Sequence, residues 1–226
     1  MDTFVLLGVI AVIVLALTIH ESAHALVADR LGDPTARLLG RITLNPIPHI
    51  DLFSTILLPG LLWVIGSPIL FGGAKPVPVV FANLRKPWRD MALVAIAGPA
   101  SNLLQAFFWA GLLSLLVHSG WWVPDSSGVQ ILQAGIFANI MLTVLNLMPI
   151  PPLDGSRVMA FILQGEARRA YLSFERIGIF LVLALLLWVP AFNHALSYGI
   201  FTLGNWVASL TQLPVYWIPA QLLTPR

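Results

Sequence analysis

The chain has 226 residues, of which 58% are hydrophobic and only 10% are charged. Soluble domains carry roughly 25% charged residues, so this composition excludes an ordinary soluble protein and predicts an integral membrane protein. The net charge is +2, and the twelve Lys and Arg residues lie between apolar runs instead of in one block, which argues against a nucleic-acid partner. Because the chain contains no cysteine, a metal site would need histidine and carboxylate ligands.

Long apolar segments predict an all-α polytopic membrane protein, a single domain over residues 1–226. A run of about 20 apolar residues is enough to cross the hydrocarbon core of a bilayer. Five runs are clear and a sixth is interrupted, so we expect five to six transmembrane segments. The clear spans are residues 4–31, 90–117, 128–148, 174–189 and 196–213.

The first span contains the sequence His20-Glu21-Ser22-Ala23-His24 in its second half. The two histidines are four residues apart, so on a helix both rings project from one face and can bind one metal ion. Neutral imidazole ligands suit zinc. Glu21 lies at the edge of that face, where it can act as a general base on a metal-bound water. The alternative is a pair of packing histidines, although ionisable groups inside a membrane need some partner.

The region between the first two spans predicts irregular structure. Proline and glycine interrupt residues 52–71 throughout, which favours a broken or re-entrant segment. Residues 35–44 are expected to form short strands, and two prolines favour an extended backbone over residues 75–79. Together they predict a small β element whose edge can pair with an extended peptide.

A catalytic zinc site needs a third protein ligand, and Asp154 is the best candidate. It follows a proline break at the end of a span, where it can face inward, and Gly155 allows a close backbone approach. The alternative role for Asp154 is to cap a helix that starts near Ser156. The other candidate ligands are His49, Asp51, Glu166 and Glu175.

Four segments match motifs that occur together, in this order, in one protein family. They are residues 20–24 (H-E-x-x-H), 73–79, 97–102 (A-G-P-x-x-N) and 146–155 (N-x-x-P-x-P-x-L-D-G). With them the chain resembles the site-2 protease family of intramembrane zinc metalloproteases. It is similar to the short bacterial members, because the link 119–127 is too short for a PDZ-like insertion.

The resemblance implies a catalytic centre and a reaction. It implies that His20, His24 and Asp154 bind one zinc ion per chain and that Glu21 activates water. The implied reaction is hydrolysis of peptide bonds in transmembrane helices, in regulated intramembrane proteolysis. The implied partners are a transmembrane protein substrate and membrane lipid, and a homo-oligomer is left open.

The resemblance also implies that Asn102 and Asn146 support catalysis. We expect one of them to donate a hydrogen bond to the scissile carbonyl or its oxyanion, which lowers the barrier if the donor is prepositioned. Buried amides in membrane helices also serve as interhelical hydrogen bonds, each worth about 0.6 kcal/mol on average. Both roles stay open at this stage.

Two other functions compete with a protease. A catalytically inactive scaffold of the same family would lose Glu21 or a metal ligand, and this chain keeps all four positions. A transporter with a metal site usually shows internal repeats and paired broken helices, and the sequence shows neither.

The basic residues predict the orientation in the membrane. If residues 52–71 re-enter instead of crossing, all twelve Lys and Arg residues fall on one side. The N-terminus then lies outside the cell and the C-terminus in the cytoplasm. We therefore expect a multi-pass protein of the cell membrane whose active site lies near the cytoplasmic face.

Overall fold

The structure is a computed structural model that describes residues 2–57, 60, 61, 64, 72–121 and 126–213. In this part of the chain the regular structure is helical. The α-helices are α1 (Thr3–Arg30), α2 (Thr35–Leu38), α3 (Pro87–His118), α4 (Ser127–Leu147), α5 (Gly155–Ile162), α6 (Gly165–Ser173), α7 (Gly178–Trp188) and α8 (Pro190–Leu210). The short helical turns are 3-10 turns at Ile47–His49, Phe81–Asn83 and Phe174–Ile177 and a π-helical turn at Leu52–Leu57.

Local chemistry explains where the long helices begin and end. The side chain of Asp2 accepts a hydrogen bond from the Phe4 N–H at the start of α1, and Ser126 caps α4 in the same way. Helix α3 starts with Pro87. Proline has no backbone N–H, and an N–H in the first turn would have no carbonyl partner within the helix, so no hydrogen bond is lost. Helix α4 ends just before Pro149, because the residue ahead of a proline is disfavoured in the helical region.

Helices α1, α3 and α4 pack together and α8 packs against α4. Small side chains on α3, such as the fully buried Ala106 and Ala110, let the backbones approach closely, and Ile136 and Ile140 of α4 fill the space between them. On the outside, large apolar side chains such as Phe108 are exposed, as expected for a surface that faces lipid.

In the described part of the chain, four helical segments are long and apolar enough to cross a membrane. They are Thr3–Arg30, Pro87–His118, Ser127–Leu147 and the continuous run Gly165–Trp188. Helix α8 has 21 residues but is not among the four. The all-helical class is confirmed, whereas the expected number of five to six spans is not.

The predicted β element is wrong, because residues 2–57 and 72–121 contain no strand. Thr35–Leu38 is helical, since the Asp33 carboxylate accepts hydrogen bonds from the N–H and hydroxyl of Thr35 and turns the chain there. Residues 72–80 are extended, as the prolines predict, but have no strand partner in this part of the chain. Most of the expected re-entrant segment 52–71 lies outside the described residues.

The end of α1 and the start of α3 lie side by side. The N–H of Arg85 donates to the carbonyl of Leu31 with an N···O distance of 3.2 Å. The chain between these two residues therefore begins and ends on one side of the helical bundle. This is the arrangement expected if residues 52–71 re-enter, and the assignment of that side to the cytoplasm stays a prediction.

Candidate metal centre

Three potential ligands converge where α1, α3 and the start of α5 meet. The Nε2 atoms of His20 and His24 lie 3.0 Å apart. Asp154 Oδ2 lies 3.2 Å from the first and 3.3 Å from the second. In the described part of the chain, these three residues are the group of histidine and acidic side chains that could hold a metal ion.

The other ring nitrogen of each histidine has a partner that can only accept a hydrogen bond. His20 Nδ1 lies 2.6 Å from the amide oxygen of Asn102, and His24 Nδ1 lies 2.7 Å from the backbone carbonyl of Val94. Both Nδ1 atoms must therefore carry the proton and donate it. As a consequence, each Nε2 presents a lone pair to the space that it shares with Asp154.

This donor set fits a divalent cation. Two imidazole lone pairs and a carboxylate oxygen, with no hydrogen between them, repel one another unless a positive charge lies among them. Asp154 Oδ2 is also buried without a hydrogen-bond donor in the described residues. A tetrahedral zinc site with bonds of 2.0 to 2.1 Å has ligand atoms about 3.3 to 3.4 Å apart. The observed separations of 3.0 to 3.3 Å are close to these values.

Asp154 reaches the histidines because the chain turns back sharply after α4. A Cβ atom added at Gly155 would lie 2.3 Å from the carbonyl oxygen of Leu147, so only glycine allows α5 to start this close to the end of α4. Asp154 precedes α5, yet its side chain makes no capping hydrogen bond. The carboxylate faces the imidazoles, which argues against the capping role.

The remaining candidate ligands do not belong to the group of three residues. His49 is buried with its Nε2 atom 3.2 Å from the carbonyl of Thr43. Glu166 forms an exposed ion pair with Arg169, and Glu175 pairs with Arg157. Asp51 lines the same cavity as the histidines but is not part of the three-residue group.

Beside the three residues lies a cavity of about 590 Å³. Glu21, next to His20 in the sequence, lines it, and the Glu21 Oε2 atom accepts a hydrogen bond of 3.0 Å from the N–H of Val77. Asn146 also lines the cavity, and its side chain has no hydrogen-bond partner among the described residues. The cavity therefore presents the carboxylate of Glu21 and the amide of Asn146 next to the candidate metal ligands.

Asn102 lies in a different place from the one expected for a residue that contacts substrate. Its side chain is fully buried and does not line the cavity. Its amide oxygen is occupied by the ring of His20. The structure therefore separates the two asparagines: Asn146 faces the cavity, and Asn102 contacts a candidate ligand from behind.

An extended segment, residues 72–80, forms one wall of the cavity and is held by polar contacts instead of a sheet. The buried guanidinium of Arg41 donates to the carbonyls of Lys75 and Pro76. The N–H of Lys75 donates to the carbonyl of His49, with an N···O distance of 2.7 Å. These contacts fix the segment beside Glu21.

The far end of the segment is held by the buried carboxylate of Asp33, which accepts the Val80 N–H at 2.6 Å and the Asn83 side-chain amide at 2.9 Å. Burial raises the pKa of Asp33, but hydrogen bonds from Thr35, Asn83 and Val80 outweigh it and hold the pKa below the ordinary value of an aspartate. The carboxylate is therefore charged near neutral pH and keeps all of these donors satisfied.

Comparison with known proteins identifies the family. The model of peptidase family M50 matches residues 122–189, which include Asn146 and Asp154. Over 187 residues the chain is 39% identical to "Putative zinc metalloprotease YwhC" of Bacillus subtilis, and the match covers 81% of each chain. The chain belongs to peptidase family M50. The resemblance to the site-2 proteases is thereby confirmed.

Other M50 relatives extend the match along the chain. "Putative zinc metalloprotease Rip2" of Mycolicibacterium smegmatis is 32% identical over 218 residues, which are 94% of this chain and 77% of that protein. "Putative zinc metalloprotease Rip3" of Mycobacterium tuberculosis is 26% identical over 220 residues, which are 92% of this chain and 43% of that protein. No solved structure gave a significant match.

Two features of this M50 centre were not predicted from the sequence. The carbonyl of Val94 orients His24, and a backbone atom leaves no residue-type signal. Gly98 of α3 lies against both imidazoles, since a Cβ atom added there would be 2.4 Å from His24 Nε2 and 2.5 Å from His20 Cε1. The A-G-P-x-x-N motif contains this glycine, but only the packing of α3 against α1 reveals its role.

Gly98→Ala is therefore expected to displace both imidazoles and to weaken zinc binding by about 10- to 100-fold, the range found when groups that orient metal ligands are altered. The measurement is zinc affinity by competition with a chromophoric chelator. Gly111→Ala is the matched control, because it lies on the same helix and a Cβ atom there meets nothing within 4 Å. Equal zinc affinity in both variants would contradict a role of Gly98 in spacing the ligands.

Proposed function

We propose that this M50 protein is a zinc-dependent endopeptidase that hydrolyses peptide bonds of transmembrane helices within the membrane. The observation that carries the proposal is the convergence of two imidazole lone pairs and a carboxylate oxygen, 3.0 to 3.3 Å apart, beside a cavity that Glu21 lines. The names of the relatives support zinc and proteolysis. The apolar helices support a membrane location.

In this proposal His20, His24 and Asp154, which line the cavity, would hold one zinc ion per chain. Zinc in a catalytic site acts as a Lewis acid on a carbonyl oxygen and lowers the pKa of a bound water to about 7. Asn102 and the Val94 carbonyl keep the two Nδ1 protons in place, so that each Nε2 stays free for the metal.

Glu21 is the general base and then the general acid. Its carboxylate takes a proton from the attacking water and passes it to the nitrogen of the leaving amine, so that the peptide bond is replaced by a carboxylate and an amine. The hydrogen bond from Val77 holds one carboxylate oxygen and leaves the other for the proton. The amide of Asn146 is the donor placed to stabilise the developing oxyanion.

The extended segment is the platform for the substrate. A helix hides its peptide bonds, so a transmembrane substrate has to unwind locally before hydrolysis. Residues two apart in an extended chain share a face, and Val77 and Val79 both line the cavity. An unwound substrate strand pairs with this segment by main-chain hydrogen bonds and is thereby held across the zinc ligands.

The location follows from the depth of the centre in α1. At 1.5 Å per residue, His24 lies about 9 Å and His20 about 15 Å below Arg30, so water reaches the centre from one side of the membrane. The positive-inside rule makes that side the cytoplasmic face of the cell membrane. We place the reaction in regulated intramembrane proteolysis, with a transmembrane protein as substrate.

The test is to measure bound zinc and cleavage of a single-span model substrate by the purified protein in vesicles. One zinc ion per chain and cleavage inside the apolar stretch are expected, with activity lost on chelation and restored by zinc. Bound zinc without cleavage of any tested span would favour an inactive scaffold. Uptake of zinc into sealed vesicles without cleavage would favour a transporter.

A further inference from the structure

Behind Asn102 lies another buried asparagine, Asn139 of α4, which is hydrogen-bonded to it. The side-chain nitrogen of Asn102 donates to Asn139 Oδ1 at 2.8 Å and to the carbonyl of Ala16 at 3.3 Å. The side-chain nitrogen of Asn139 in turn donates to the carbonyl of Gly135 at 2.8 Å. Both asparagines are completely buried, so water does not compete for these groups.

Every link in this chain of hydrogen bonds has only one possible direction. A backbone carbonyl can only accept, so Gly135 fixes which end of the Asn139 amide faces it, and the amide oxygen of Asn139 is left facing Asn102. That oxygen attracts the nitrogen of Asn102 and turns the oxygen of Asn102 toward His20. The direction set at Gly135 is thereby transmitted across three helices.

The hydrogen bond between Asn102 and His20 determines which ring nitrogen of His20 carries the proton. Asn102 Oδ1 lies 2.6 Å from His20 Nδ1 and can only accept, so the proton stays on Nδ1. If the Asn102 amide turned over, its nitrogen would face Nδ1, the proton would move to Nε2, and His20 could not bind a metal through Nε2. Ala16 alone, at 3.3 Å, is a weak restraint against that rotation.

We propose that Asn139 is a positioning residue of the metal centre, which acts through Asn102 to fix the tautomer and orientation of His20. It touches neither the cavity nor the candidate ligands, so it is distinct from the residues that hold metal or substrate. The inference rests on the proposed function, because it takes zinc as the ion of the centre. It differs from simple helix packing in that it predicts an effect on metal binding.

Three substitutions separate these roles. Asn139→Leu replaces both polar groups with methyl groups on the same branched skeleton. Asn139→Ser keeps a hydroxyl that can bond to the carbonyl of Gly135, four residues earlier, but is too short to reach Asn102. Asn139→Asp keeps an oxygen that accepts from Asn102, and in its neutral form it can still donate to Gly135. The control is Thr143→Val, which removes a buried hydroxyl of the same helix that lies 2.8 Å from the backbone carbonyl of Asn139 and 3.3 Å from that of Pro99. It leaves the side-chain amides of Asn139 and Asn102 unchanged.

The readouts are zinc affinity by chelator competition and the visible absorption spectrum of the cobalt-substituted protein, which reports ligand geometry without turnover. We expect the Leu and Ser variants to bind zinc about 10-fold more weakly and to show a changed cobalt spectrum, since altered outer groups typically cost 10- to 100-fold in metal affinity. We expect the Asp variant and Thr143→Val to match the wild type. If Asn139→Leu fails to fold, the Ser variant decides.

Two outcomes overturn the inference and are distinguishable from failure of the proposed function. Wild-type zinc affinity and cobalt spectrum in the folded Leu or Ser variant would make Asn139 an interhelical contact only. Loss of metal binding in Thr143→Val equal to that in Asn139→Ser would mean that any weakened helix contact disturbs the centre. If the wild type itself binds no zinc, the proposed function fails instead.

Discussion

Glu21→Gln is expected to lower the rate of peptide hydrolysis by about 10²- to 10⁴-fold, the usual contribution of a general base, while zinc stays bound. A glutamine side chain cannot take the proton of the attacking water. Its amide oxygen can still accept the Val77 N–H, so the extended segment keeps its place. The measurement is kcat on a single-span substrate, together with the zinc content of the same preparation.

Glu166→Gln is the matched control, because Glu166 is exposed and pairs with Arg169 away from the cavity. It should leave both kcat and zinc content unchanged. Undiminished turnover in Glu21→Gln would remove Glu21 as the base. Loss of zinc from that variant would instead indicate that Glu21 holds the metal.

The shared position of the two histidines was predictable from the sequence alone. The helical repeat of 3.6 residues places His20 and His24 on one face whatever surrounds them, and their Nε2 atoms are 3.0 Å apart. Asp154 needed more information, because it lies far along the chain. Its proline break and expected depth favoured it over Asp51 and His49, and the structure brings its carboxylate to the two rings.

The contacts behind the ligands were not predictable from the sequence. Which way Asn102 points depends on how α3 is rotated against α1, and the motif alone does not define that rotation. The direction of its amide further depends on Asn139, which belongs to a third helix. The orientation of His24 depends on a backbone carbonyl, which every residue has.

The error in predicting a β element has a similar physical cause. The prolines on either side of Val77 do hold an extended backbone, so the local conformation was correct. A strand, however, is defined by its pairing partner, and that is a tertiary property. Here backbone groups of the segment pair with the side chains of Arg41, Asp33 and Glu21 and with the backbone carbonyl of His49, and no second strand runs beside it in the described residues.

Asp154→Asn is expected to weaken zinc binding by more than the 10- to 100-fold that altered outer groups cost, because it changes a group placed to contact the metal directly. Asparagine has nearly the same shape, so the turn before Gly155 should survive. The amide of asparagine lacks the negative charge of the carboxylate. That charge balances part of the positive charge of a dication bound between two neutral imidazoles. Zinc affinity by chelator competition, with the thermal unfolding temperature in the presence of chelator, measures metal binding and folding separately.

Asp51→Asn is the control, since Asp51 lines the same cavity outside the three-residue group. It removes one negative charge from the same cavity, so it tests whether the loss of any cavity carboxylate weakens zinc binding. A third ligand at Asp154 predicts a much larger loss in Asp154→Asn than in Asp51→Asn. The capping role predicts the opposite result, because Asn caps a helix as well as Asp. If Asp154→Asn bound zinc as tightly as the wild type and Asp51→Asn bound it more weakly, Asp51 would be the third ligand instead.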